Sequence, residues 1–178
     1  MQTRSVYWVA PVALSVALVA PCSAFAVDYL SAAQAQSALF PAASSWQEQN
    51  LLLTSDQVLQ LGKKTKAVWR LQHALDSKGK RLGTVVIDQV IGKFEFITYA
   101  VGVDNKNNVV GVEILSYRES HGSEIRLPAW RKQFVGKNSR HPIQTGEDIA
   151  IISGATLSCN HVTDGIRRIA ALLATVDQ

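Results

Sequence analysis

The 178-residue chain has only two cysteines, Cys22 and Cys159, and no cysteine-based motif. Cys22 lies in an apolar N-terminal segment, so removal of that segment would leave Cys159 alone and exclude an internal disulfide. There is no Cys-x-x-Cys-His motif for haem attachment. The four histidines show no metal-type spacing, so the sequence predicts neither a haem nor a metal centre.

The chain also lacks a strong excess of charge and an apolar run long enough to span a membrane. Its formal net charge is +4, and its basic residues are dispersed among aliphatic segments, which does not indicate nucleic-acid binding. The apolar run at residues 6–20 is shorter than the roughly 20 residues of a spanning helix, and Pro11 and Pro21 interrupt it.

Instead, the N-terminal segment has the pattern of a signal peptide. Arg4 precedes the apolar run, and Ala24-Phe25-Ala26 follows it with small residues at both positions that signal peptidase reads. We therefore expect cleavage after Ala26 and export to the periplasm or an equivalent compartment; a membrane anchor is the competing interpretation. Cleavage would remove one basic residue and no acidic residue, leaving a net charge of +3.

The remaining residues, 27–178, are predicted to form a single domain. A chain of about 150 residues can bury close to 70% of its unfolded surface, so one hydrophobic core is feasible without disulfides. There is no internal repeat and no low-complexity tract.

Short turn signals separate the candidate strands in the middle of the chain. Hairpin-length connections such as Ser77-Lys78-Gly79-Lys80 and Gly92-Lys93 favour an antiparallel meander over parallel crossovers. Ser31 and Thr54 are candidate N-caps, and Gly62 closes the second helix. The predicted fold class is α+β, an antiparallel meander sheet flanked by helices. Strands are predicted at 67–76, 81–91, 94–103, 109–117 and 149–152, helices at 31–39, 54–62 and 127–134, and a loop at 41–49.

The final helix is the clearest predicted element. Val162, Ile166, Ile169 and Leu173 recur at steps of four, three and four residues, so they share one helix face. The helix follows Thr156, whose hydroxyl would lie beside free helical N–H groups and the positive end of the helix dipole. Such an environment suits a phosphate.

Three segments in order carry a family resemblance. They are the motif Ser153-Gly154-Ala155-Thr156-Leu157-Ser158-Cys159-Asn160, the loop Tyr117-Arg118-Glu119-Ser120-His121-Gly122, and the segment Trp130-Arg131-Lys132-Gln133-Phe134-Val135-Gly136-Lys137. Over about residues 81–174 the chain resembles the FMN-binding domain family, including the flavinylated subunits of the Rnf complex and the sodium-translocating NADH:quinone reductase. The resemblance implies the fold of that domain, with its C-terminal helix following the attachment motif.

The resemblance also implies a function. Thr156 would carry FMN through a phosphoester bond, attached by an exported FAD-dependent flavin transferase. The protein would be an electron carrier, relaying electrons between a membrane-bound reductase and another acceptor, rather than a complete enzyme.

The candidate cofactor-binding residues belong to the motif and to the loop and helix before it. One or two cations, Arg126 or Lys132, would stabilise the phosphodiester and the reduced flavin. Trp130 is a candidate for stacking on the flavin ring or for core packing. The full set is Ser153, Gly154, Ala155, Thr156, Leu157, Ser158, Glu119, Gly122, Arg126, Leu127, Trp130 and Lys132, with no catalytic residue.

The chain departs from the family pattern at two places. An aspartate usually stands three residues before the serine of the motif, where this chain has Ala150, and the nearest aspartate is Asp148. The Pro-Gly of the family loop is replaced by Ser120-His121-Gly122. Two alternatives therefore stay open: a module that binds FMN or another phosphorylated ligand without a covalent bond, and a structural domain that has lost the flavin.

The same segment also has interpretations that involve no flavin. Thr156 and Ser158 could merely cap the last helix. Cys159 lies in its first turn, where the dipole could lower the thiol pKa for a redox role. Ser158, His161 and Asp164 are not part of a nucleophile-elbow motif, and three residues on one short helix segment do not usually align as a hydrolase triad.

Overall fold

The computed structural model describes residues 27–62 and 65–176, and the predicted signal peptide and its cleavage site lie outside them. The strands form one six-stranded antiparallel sheet in the order β1-β6-β5-β4-β3-β2. Their bounds are β1 Val27–Asp28, β2 Ser45–Leu52, β3 Val68–Leu75, β4 Arg81–Ile91, β5 Phe96–Asp104 and β6 Val109–Tyr117.

Strands β3 to β6 are the predicted meander, and local turn chemistry explains their connections. The Asp76 carboxylate accepts hydrogen bonds from the backbone N–H groups of Lys78 and Lys80 in the β3–β4 turn. Asp104 does the same for Lys106 and Asn108 in the β5–β6 turn. An aspartate that accepts from N–H groups two and four residues later fixes a tight turn, so these hairpins are encoded locally.

Strand β2 corrects the prediction of a loop at 41–49. It pairs with β3 from Ser45 opposite Leu75 to Leu52 opposite Val68. Most of its side chains are exposed, so it shows no alternation of apolar and polar residues that would mark it as a strand. Pairing with β3 determines its conformation.

The strand predicted at residues 149–152 is also corrected. In the part of the chain that the structure describes, this segment contributes one isolated bridge, Thr145 to Ile149. The backbone of Ala150 is hydrogen-bonded to side chains instead of to a strand. Its N–H donates to Gln133 Oε1 and its carbonyl accepts from Trp130 Nε1, each at 2.8 Å. The segment is therefore hydrogen-bonded to Trp130 and Gln133 and does not extend the sheet.

The first two helices begin at complete capping boxes. Helix α1 (Ala32–Leu39) follows Ser31, which exchanges side chain to backbone hydrogen bonds with Gln34. Helix α2 (Ser55–Leu61) follows Thr54, paired in the same way with Gln57, and ends at Gly62 with φ of 96°. The capping residues named from the sequence are thus the ones used.

The helix predicted at 127–134 is divided into short turns. A 3₁₀ turn spans Ser123–Arg126, helix α3 spans Pro128–Arg131, and a second 3₁₀ turn spans Lys132–Phe134. Pro128 begins α3, where its missing N–H and fixed φ are tolerated, and it separates α3 from the preceding turn.

Helix α4 (Thr156–Val176) packs across β4 and β5 and supplies the centre of the main core. Its predicted apolar face is buried, with Val162, Ile166, Ile169 and Leu173 at most 1% exposed. Helix α1 covers part of the opposite face of the sheet, on β5 and β6. Within the described residues, no helix combines the length and apolar character needed to cross a membrane.

Candidate functional site

A groove of about 440 Å³ lies where three segments meet: the tip of the β4–β5 hairpin, the loop after β6 and the first turn of α4. Its volume falls within the range of ~300–1,000 Å³ that is usual for small-molecule pockets. Its lining residues are Lys93, Phe94, Glu119, Ser120, His121, Gly154, Ala155, Thr156, Leu157 and Ser158. Five of the six predicted motif residues therefore meet at one surface, and Ser153 is the one that does not line it.

Thr156 is the first residue of α4, and its side chain is exposed to the groove. Gly154 adopts a φ of 81°, in the left-handed region that glycine tolerates. The turn is closed by a hydrogen bond from the Ala155 N–H to the Ile152 carbonyl at 3.0 Å. The chain thus reverses immediately before the helix and delivers the threonine hydroxyl to its N-terminal end.

The N-terminus of α4 has no side-chain cap among the described residues. Ala155 occupies the cap position, and no described residue accepts from the N–H groups of Thr156, Leu157 and Ser158 or bonds to the Thr156 hydroxyl. Helices α1 and α2, by contrast, are both capped. Three free donors at the positive end of a 21-residue helix form a site suited to a phosphate, so the residues present fit a phosphorylated group.

Ser158 is buried and faces the protein. Its hydroxyl lies 2.9 Å from the Tyr117 hydroxyl, which in turn donates to the His121 carbonyl. Burial raises the pKa of the Tyr117 phenol, and the Ser158 hydrogen bond only partly opposes this, so the phenol stays protonated and able to donate. Ser158 therefore ties the helix to the loop after β6 and does not cap α4.

Gly122 brings that loop into direct contact with the motif. It has a φ of 92°, and an added Cβ would lie 2.6 Å from Tyr117 Oη and 2.8 Å from Ala155 Cβ. Only glycine fits both the backbone conformation and the space. Gly122, a predicted cofactor-binding residue, therefore packs against the motif and does not line the groove.

Glu119 holds the hairpin tip. Its Oε1 accepts from the backbone N–H groups of Phe94 at 2.6 Å and Glu95 at 3.0 Å, and Gly92 leaves room for it, since a Cβ there would lie 2.4 Å from the same oxygen. Burial acts to raise the pKa of the Glu119 carboxyl, but the backbone donors and the Lys93 charge outweigh it and lower the pKa.

The two cations proposed from the sequence do not line the groove. The Arg126 guanidinium lies 3.8 Å from the centroid of the Tyr29 ring. Lys132 lines a different depression, together with Pro128 and Val135. Among the groove-lining residues of the described chain, Lys93 is the one lysine or arginine.

Trp130 and Leu127 also lie away from the groove lining. Trp130 is 4% exposed, packs edge-on against Phe134 at 5.1 Å between ring centroids, and donates to the Ala150 carbonyl. Trp130 is thus a core residue. Of its two predicted roles, stacking on the flavin ring and core packing, the structure shows core packing. Leu127 is exposed but outside the groove.

The residues proposed for other chemistry have separate partners. The His161 Nδ1 lies 2.6 Å from the Ile91 carbonyl, and Asp164 pairs with Arg167, so Ser158, His161 and Asp164 do not form a triad. Burial raises the pKa of the Cys159 thiol, opposite to the shift that a redox role requires. In the described ranges, no three His, Cys, Asp or Glu side chains come together to hold a metal ion.

Four groove residues were missed by the sequence analysis: Lys93, Phe94, Ser120 and His121. Phe94 gave the clearest signal in the sequence, because it directly follows the Gly92-Lys93 turn. In the structure its side chain is 72% exposed. A large aromatic residue at a hairpin tip, where polar residues are usual, indicates a surface with another use.

Together, the sheet, the long helix and the groove at its free N-terminus define a small α+β domain with a ligand site for a phosphorylated group. Residues 92–171 of this chain match the FMN-binding domain family. The match contains the groove-lining residues and most of α4.

A solved structure shares the fold. The crystal structure of Shewanella oneidensis NqrC superposes with a TM-score of 0.51 and 17% sequence identity, covering 73% of this chain and 79% of that chain. At this identity the likeness concerns the fold alone. No curated protein matches the sequence significantly.

Proposed function

We propose that this protein is an exported electron-transfer domain that carries FMN on Thr156 through a phosphoester bond. The observation that carries the proposal is the exposed Thr156 hydroxyl beside three backbone N–H groups that no described residue satisfies. The match of the groove segment to the FMN-binding domain family supports FMN as the phosphorylated group.

In this proposal the first turn of α4 holds the phosphate. The N–H groups of Leu157 and Ser158 and the helix dipole stabilise its negative charge. Attachment forms a bond between Thr156 Oγ and the FMN phosphorus, breaks the pyrophosphate of FAD, releases AMP, and passes the hydroxyl proton to a base or to water. Bound FMN supplies one- and two-electron transfer, while the protein positions it and tunes its potential.

The proposed location rests on the signal-peptide pattern, and the proposed partners rest on the family resemblance. An apolar segment ending in Ala24-Phe25-Ala26 directs export, and an exported FAD-dependent flavin transferase then modifies Thr156. A covalent tether suits that compartment, because it replaces binding affinity with a permanent high local concentration where free FMN is dilute. The electron donor would be a membrane-bound reductase.

A non-covalent FMN module is the second candidate, and Ala150 is the observation that favours it. The position where the family pattern has an aspartate holds an exposed alanine. Asp148 cannot take its place while its carboxylate pairs with Lys137 and accepts from the N–H groups of Ile143 and Gln144. The transferase would then meet a substrate that lacks the usual acid.

Co-expression with a flavin transferase tests the proposal. Intact-mass measurement should show one added FMN phosphoester unit, and ultraviolet-excited flavin fluorescence should survive denaturing electrophoresis. Thr156→Val should abolish both, whereas Ser153→Ala, which removes an exposed hydroxyl from the same motif, should keep both.

The other outcomes separate the alternatives. Yellow colour that is lost on denaturation supports the non-covalent module. A colourless protein from a host that flavinylates a control substrate supports a structural domain without flavin. An adduct that persists in Thr156→Val, or moves to another hydroxyl, contradicts the assignment of Thr156.

A further inference from the structure

One wall of the groove is the tip of the β4–β5 hairpin, and its position depends on one side chain from the loop after β6. Lys93 and Phe94 line the groove, and Glu119, in the loop after β6, accepts from the N–H groups of Phe94 and Glu95. Gly92 sits against the same carboxylate, so this contact is closely packed.

We propose that Glu119 is a positioning residue that fixes this tip, so that Lys93 supplies the positive charge beside the flavin and Phe94 supplies an apolar wall for its ring. The inference rests on the proposed function. Lys93 here takes the role that the sequence suggested for Arg126 or Lys132. Arg126 lies against the Tyr29 ring, and Lys132 lines a separate depression.

The chemistry of reduction explains why a cation here matters. A reduced flavin gains negative charge, so a nearby ammonium group stabilises the reduced form more than the oxidised form and raises the potential. Lys93 is exposed, so salt screens this interaction. The ammonium lies 4.9 Å from the Phe94 ring centroid, which keeps the charge and the apolar surface together at the tip.

Glu119 itself carries a negative charge that would oppose reduction if it were free to face the flavin. Its Oε1 is instead engaged by two backbone donors on the hairpin. The carboxylate therefore fixes the backbone of the hairpin tip, and Lys93 is the groove-lining side chain that brings a positive charge.

The test of Lys93 is the midpoint potential of the flavin-loaded protein at low salt. Lys93→Gln should lower the ratio of reduced to oxidised flavin at a given potential by up to about tenfold, which is about 30 mV for a two-electron couple. The shift should shrink at high salt. Lys78→Gln, the same change in the turn at the other end of β4, should leave the potential unchanged.

The test of Glu119 has a readout that needs no flavin. In the flavin-free protein, Glu119→Ala should speed hydrogen exchange at the Phe94 and Glu95 amides, and Glu119→Gln, which retains an acceptor oxygen, should restore most of the protection. In the loaded protein, Lys93→Gln should shift the potential less in the Glu119→Ala background than in the wild type, because the tip is no longer fixed.

Two results would overturn the inference: a Lys93→Gln shift no larger than that of Lys78→Gln, or unchanged amide exchange in Glu119→Ala. A wild-type chain that takes up no FMN from an active transferase refutes the proposed function, and with it the role of Lys93. The exchange measurement then still decides whether Glu119 anchors the tip, so the two failures are distinguishable.

Discussion

Replacing Gly122 by alanine tests how closely the loop after β6 is packed on the attachment motif. The new Cβ would lie 2.6 Å from Tyr117 Oη and 2.8 Å from Ala155 Cβ, and 3.2 Å from the Ala155 Cα. Tyr117 cannot simply rotate away, because it is buried and bonded to Ser158 and the His121 carbonyl. Ala155 is fixed by the turn that precedes α4.

Two effects lower the free energy of unfolding of the Gly122→Ala variant, and their magnitudes add. The left-handed φ of 92° destabilises alanine by about 1–2 kcal/mol, and overpacking adds about 1–3 kcal/mol. Gly154→Ala is the matched control, because its φ of 81° is similar and nothing lies within 4 Å of its Cβ position. We expect Gly154→Ala to lose about 1–2 kcal/mol and Gly122→Ala about 2–5 kcal/mol.

The assay is urea unfolding of the purified domain, comparing the transition midpoints at constant slope. Gly79→Ala, in the β3–β4 turn with a φ of 75° and open space around it, provides a second strain-only control far from the site. Equal losses in Gly122→Ala and both controls would refute the packing argument and leave backbone conformation as the sole effect.

Further outcomes are expected elsewhere in the chain. Burial raises the pKa of the Cys159 thiol, so iodoacetamide should label it slowly in the native protein and rapidly in urea; fast native labelling would contradict its buried position. Ala150→Asp should increase the fraction of chain flavinylated by the transferase, measured by intact mass, and no increase would mean that the missing aspartate is no handicap. N-terminal sequencing of the envelope-derived protein should begin at Val27, whereas an intact segment from Arg4 would indicate an anchor. Because the Glu119 pKa is lowered, its bonds to the hairpin persist above the pKa of an unfolded glutamate and weaken as pH falls through the folded value; the Phe94 amide shift should therefore titrate with a midpoint below that of an ordinary glutamate, and a normal midpoint would contradict the contact.

The sequence by itself determined the elements whose causes lie within a few residues. Ser31 and Thr54 cap the helices that they were predicted to cap, and Asp104 closes its hairpin through its own neighbours. The spacing of Val162 and Ile166 determined which face of α4 is buried, because helical periodicity alone places them together. Capping, turn chemistry and periodicity act over short separations along the chain, so they can be read without the fold.

Tertiary structure decided what depends on distant partners. Residues 45–52 become a strand because β3 offers its edge, although their own side chains are mostly exposed. Residues 149–152 do not become one, because Gln133 and Trp130 bind the backbone of Ala150. Both outcomes depend on hydrogen-bond partners 16 or more residues away, which no local pattern specifies.

The candidate site divides in the same way. Thr156 and the small residues before it could be identified from the sequence, because a hydroxyl, a left-handed glycine and a helix start are adjacent in the chain. The cation of the groove could not be identified in this way, because Lys93 is 63 positions from Thr156 in the sequence. The two residues meet at the groove only because Glu119 holds the hairpin that carries Lys93. Arg126 and Lys132 are nearer in sequence, but the turns around Pro128 direct them to other surfaces. Proximity in a folded chain is set by sheet register and helix packing, and these are fixed only when the whole core assembles.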